Sequence, residues 1–78
     1  MELLNHISQQ GLTEHTYVID HPTEKILIYK EWVDERGKVI DFTLSSKTGI
    51  LYDYLENADL FDDIHKFVDN LGLDEFYV

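Results

Sequence analysis

Carboxylates are the residues whose number and spacing invite chemistry. Asp53, Glu56, Asp59, Asp62, Asp63, Asp69, Asp74 and Glu75 crowd the last third of the chain, with Lys66 the one base among them. Closely spaced carboxylates serve general acid–base catalysis, metal coordination, or recognition of cations. The first two need company that the sequence lacks. It contains no EF-hand loop, no HExxH motif, no Gly-rich phosphate loop and no Gly-x-Ser-x-Gly elbow. Without cysteine there is no thiolate zinc site and no disulfide framework. His6, His15, His21 and His65 stand at no metal-ligand spacing and read as isolated surface residues. A two-layer domain of 78 residues also offers little depth for a substrate pocket. No enzymatic activity, metal or cofactor is expected.

Recognition of cations remains. Asp59 precedes Asp62 and Asp63 by three and four residues, and Asp69 follows on the same predicted helix. Neighbours of this kind lie about 5–6 Å apart on a helix. Duplex DNA carries one phosphate charge per ~1.7 Å of axis, or ~3.4 Å along one strand. A ridge of helical carboxylates therefore imitates a phosphate ridge, and suits the basic groove of a nucleic-acid-binding enzyme. The whole composition leans the same way, with 16 acids, six bases, a net charge of −10 and a pI near 4.5. Direct binding to nucleic acid and to anionic membrane is excluded on charge.

The expected function is thus a small acidic protein-binding module. It would inhibit or regulate a basic partner, as a DNA mimic where that partner binds nucleic acid. The candidate contact residues are Asp53, Glu56, Asp59, Asp62, Asp63 and Asp69, with Trp32 or Tyr54 as the aromatic anchor. A second use of the aromatics is a cage for a methylated lysine, built from Tyr29, Trp32, Tyr52 and Tyr54. The competing view is a structural or homo-oligomeric accessory subunit, monomer or homodimer, whose charge serves solubility alone. Inside the acidic segment, His65 is expected to be held in its charged form by the surrounding carboxylates.

These residues must be positioned by a few short elements. Residues 57–73 carry Leu60, Phe61, Ile64, Phe67, Val68 and Leu71 at helical spacing, which predicts an amphipathic helix. Asn57 or Asp59 is its N-cap and Gly72 its left-handed terminator, with Leu73 folding back on Val68. Residues 2–10, with Leu3, Leu4 and Ile7 on one face, predict a short helix stopped by Gly11-Leu12. Residues 13–20, 25–34, 39–45 and 50–55 alternate as strands. They are separated by turns at His21-Pro22, Gly37 and Gly49. In residues 39–45, Ile40, Phe42 and Leu44 are expected to point inward. Phe76 and Val78 of the tail would pack or add an edge strand.

The predicted architecture is α+β and two-layered: a short N-terminal helix, a four-stranded antiparallel meander, and a C-terminal amphipathic helix packed on the sheet. Residues 1–78 form a single domain. No apolar run approaches the ~20 residues of a membrane span. The N-terminal segment lacks the basic and apolar regions of a signal peptide, so a cytoplasmic location is expected.

Overall fold

The computed structural model describes residues 1–9 and 13–72. Four antiparallel strands, β1 (Glu2–Gln9), β2 (Glu14–His21), β3 (Lys25–Val33) and β4 (Val39–Ser46), form one sheet in the order β1-β2-β3-β4. One helix, α1 (Ala58–Leu71), follows and covers one face of that sheet.

The expected N-terminal helix does not exist. Residues 2–9 are a strand that pairs with β2, from Glu2 opposite Asp20 to Gln9 opposite Glu14. An irregularity between Leu3 and Asn5 breaks the alternation, so Leu3, His6 and Ser8 are half-buried while Leu4 and Ile7 are exposed. That break gives Leu3, Leu4 and Ile7 a spacing that mimics a helix. Eight residues are too few to form a helix without tertiary support, and the open edge of β2 offers a full ladder of hydrogen bonds instead. The Gly11-Leu12 stop, the packing of Leu73 and the tail 74–78 lie outside the described residues.

The expected fourth strand at 50–55 shrinks to a single bridge, Leu51 opposite Ser45. Tyr52 N–H donates to Leu44 O at 2.9 Å, and the chain then leaves the sheet. Asp53 ends the pairing, because its side chain accepts from Leu55 N–H at 3.1 Å. Its carbonyl accepts from the backbone N–H of Asn57 at 3.0 Å and from the Asn57 side chain at 2.9 Å. A carboxylate that satisfies the backbone locally competes with a ladder, and here it makes the turn that launches α1. Asn57 stands at the N-cap position, but its side chain makes no capping bond. Gly72 closes the helix at φ 65°, as the sequence predicts.

The core is a sandwich of one sheet face and one helix face. Tyr17 and Ile19 of β2, Leu27 and Tyr29 of β3, and Leu44 of β4 pack against Phe61, Ile64 and Val68. Burying each such side chain contributes about 1.5–3 kcal/mol. The expected inward position of Ile40 is wrong. A register shift pairs Val33 with Val39 but Trp32 with Asp41, so Ile40 is the bulged residue and is 64% exposed. Phe42 and Leu44 do face the core.

The opposite sheet face has no covering element among the described residues. It carries Val18, Ile28, Lys30 and Trp32, each half-buried within the sheet surface. Among the described residues, no helix is long and apolar enough to cross a membrane.

Candidate functional site

Helix geometry decides how the acids are displayed. With Phe61, Ile64 and Val68 turned to the sheet, Asp59, Asp62 and Asp63 are exposed on the opposite side of α1, and Asp69 is exposed on its flank. Lys66 lies among them and pairs with Asp62 at 3.1 Å, one turn away. That hydrogen bond, followed by the Asp62 charge, raises the affinity of Lys66 for its proton. Among the described residues, no Lys or Arg pairs with Asp59, Asp63 or Asp69. The helix therefore presents one anionic stripe with a single embedded cation.

Asp53 and Glu56 are exposed in the loop that leads into α1. Tyr54 sits there too, 49% exposed, with its ring edge-on to Phe61 at 5.2 Å and to Phe42 at 5.8 Å. Those contacts fix it at the N-terminal end of the helix. Trp32 lies elsewhere. Its strand neighbours Glu31 and Val33 are buried on the sheet face that carries Leu27 and Tyr29, so alternation turns Trp32 to the opposite sheet face. Its register partners there are Glu14 and Asp41. The fold gathers Asp53, Tyr54, Glu56 and the helical aspartates at one end and along one side of α1, and separates Trp32 from all of them. The four aromatics of the expected cage do not converge either, since Tyr29 is buried under the helix and Trp32 faces the other way.

The loop also displays apolar side chains. Ile50 (68% exposed), Leu51 (69%) and Leu55 (85%) lie within six residues of one another, around Tyr54. Their neighbours keep them out of the core. Gly49, at φ 93°, turns the chain out of β4, and Ser46 N–H donates to Ile50 O at 2.9 Å, holding the segment along the sheet edge. In the sequence these residues pass for a strand, and only the failure of that strand reveals them.

Several polar side chains are buried where the sequence alone suggests surface positions. His15 and His21 are buried on the same face of β2 as Tyr17 and Ile19. The alternation that marks Tyr17 and Ile19 as inward also reaches His15 and His21, and that was the available signal. Nδ1 of His21 accepts from the N–H groups of Thr23 and Glu24, both at 3.2 Å, and so ties the β2–β3 turn. A hydrogen bond of 2.8 Å joins Nε2 of His6 to Nδ1 of His15, and the His6 ring stacks on Tyr17 at 4.7 Å. Tyr17 leads to Tyr29 at 6.0 Å, and Tyr29 to the edge of His65 at 5.5 Å.

Glu31 is 3% exposed, and its Oε2 accepts the Tyr29 hydroxyl at 3.0 Å. Burial first, and then the Glu31 charge, push the Tyr29 hydroxyl far above its ordinary value, so it stays a donor. His65 corrects another expectation. Burial lowers its pKa below 6.5, and outweighs the opposing pull of Asp69 and Asp62. Among the described residues no three metal-type side chains group together.

Comparison of the chain with protein-family models, with curated proteins and with solved structures finds no match. Function is therefore inferred from the geometry of the chain's own residues.

Proposed function

We propose that this protein is a non-enzymatic binding module that docks on a basic protein surface and blocks or regulates it. The observation that carries this reading is the concentration of Ile50, Leu51, Tyr54 and Leu55 in one exposed loop, beside Asp53, Glu56 and Asp59. An exposed apolar cluster rimmed by charge has the make-up of a protein interface, with desolvated anchors at the centre and polar groups at the edge. The anionic side of α1 extends that rim along the helix. A field of this sign speeds encounter with a cationic partner and weakens with salt. A partner that itself binds nucleic acid has the required basic groove, and the helical carboxylates would then stand in for phosphates.

The test is capture of partners from host lysate with three baits. Wild type, Leu55→Ser and Asp59→Lys/Asp62→Lys/Asp63→Lys are compared at low and moderate salt. One partner, identified by mass spectrometry, is expected to be held by wild type, weakened by salt, and lost from both variants. Capture that survives both changes would refute the reading.

A second reading, a homo-oligomeric accessory subunit, draws on the uncovered sheet face around Val18, Ile28 and Trp32. Light scattering over a range of concentrations tests it, and a constant monomer mass counts against it.

A further inference from the structure

A cavity of about 230 Å³ opens between the flank of α1 and the far end of the β3–β4 hairpin, lined by Tyr29, Glu31, Val39, Phe42, His65 and Asp69. The bulge at Ile40 turns Val39 toward the helix, opposite Val33. Phe42 stands across the ladder from Glu31. His65 and Asp69 lie one helical turn apart on α1.

Three rings make the wall. Phe42 and His65 meet edge-on at 4.6 Å and Tyr29 and His65 at 5.5 Å, while Tyr29 and Phe42 lie tilted at 6.4 Å. Two carboxylates sit at different depths. Glu31 is buried and oriented by the Tyr29 hydroxyl, whereas Asp69 is exposed on the helix surface. No Lys or Arg is among the lining residues.

We propose that this cavity is a binding site for an organic ammonium group. Aromatic walls and carboxylates both favour a cation, and Val39 with the ring faces suits a few methylenes behind the charged head. An anion would meet two carboxylates. A bare metal ion is not accommodated, because Glu31, His65 and Asp69 do not converge into a metal-type grouping among the described residues. The imidazole of His65 does not cancel the negative potential at neutral pH, since burial favours its uncharged form. The same head group belongs to a free alkylamine and to a lysine side chain of a basic protein. The site shares Asp69 with the anionic side of α1 but includes none of the loop residues Ile50, Leu51, Tyr54 and Leu55.

The experiment is an NMR titration of the intact chain, following the ring resonances of Tyr29, Phe42 and His65, with Trp32 as the opposite-face reference. The probe is n-butylammonium chloride against matched sodium chloride, with 1-butanol as the neutral analogue. Saturable shifts of the three rings are expected on the order of millimolar concentration. They should be absent for butanol and absent at Trp32. Asp69→Asn, at an exposed position, should weaken binding about threefold. Glu31→Gln should weaken it about tenfold or more where the variant folds. Should Glu31→Gln fail to fold, Asp69→Asn and butanol still decide.

Nα-acetyl-lysine methylamide, with its ε-ammonium free, separates the sources. A response equal to that of butylammonium assigns the site to a lysine side chain, and a response to butylammonium alone assigns it to a free amine. Saturation by neither, or an equal response to butanol, would overturn the site. Leu55→Ser should leave the amine titration unchanged, so this site and the proposed partner interface fail separately.

Discussion

Tyr29→Phe isolates one buried hydrogen bond. The substitution removes the hydroxyl that Glu31 Oε2 accepts at 3.0 Å, with Tyr29 1% and Glu31 3% exposed. The ring itself remains, and with it the contacts to Tyr17 and His65. Losing a buried hydrogen bond costs about 1–3 kcal/mol. A domain of this length has a total stability of roughly 4–12 kcal/mol. One atom therefore carries a large share. At about 4–8 °C per kcal/mol, the midpoint should fall by roughly 4–24 °C. Tyr52→Phe is the control, because its hydroxyl donates to the exposed Glu24 at 3.2 Å and water can replace it. That variant should stay within about 0.5 kcal/mol of wild type. Urea denaturation of the three proteins, monitored by circular dichroism with m-values compared, measures both differences. Equal losses in the two variants, or a loss below about 0.5 kcal/mol for Tyr29→Phe, would refute the view of Glu31 as a buried carboxylate oriented by Tyr29.

His65 should titrate below 6.5 in a two-dimensional NMR experiment, since burial lowers its pKa. The linked stability has a definite sign. The unfolded chain binds the proton first as pH falls below 6.5, so the His65 contribution is lost downward from there to the folded value and is flat below it. His65→Gln should remove that slope, and a stability that rises on acidification through this window would contradict it. Ile64→Ala and Ile40→Thr form a paired test of the packing. The first empties a fully buried site and should cost about 2–5 kcal/mol, whereas the second changes a bulged, solvent-exposed residue and should stay within about 0.5 kcal/mol. Chemical denaturation that shows a core-sized loss for Ile40→Thr would restore the simple alternation and remove the bulge.

Much of the candidate surface is legible in the chain alone. The apolar stripe of Phe61, Ile64 and Val68 fixes which side of α1 meets the sheet, and by exclusion which side carries Asp59, Asp62, Asp63 and Asp69. A period of 3.6 sustained over four turns admits one solution. Gly37 and Gly49 mark their turns because each adopts a positive φ that side chains resist. In β3, alternation sets Glu31 on one face with Leu27, Tyr29 and Val33, and the packed fold buries that face.

Tertiary structure decided the rest, and for identifiable reasons. Residues 2–9 have too few turns to choose their own conformation, so the free edge of β2 chose it for them. Residues 50–55 have the pattern of a strand, yet the Asp53 side chain and carbonyl take over the backbone donors that a strand would use. That local competition leaves Ile50, Leu51 and Leu55 in solvent, where a pattern of apolar residues would place them in a core. His65 was misjudged by counting charges along the helix, because the neighbours that govern its proton are the rings and strands packed against it. Charge and periodicity are properties of the chain, whereas desolvation and edge pairing belong to the assembled fold.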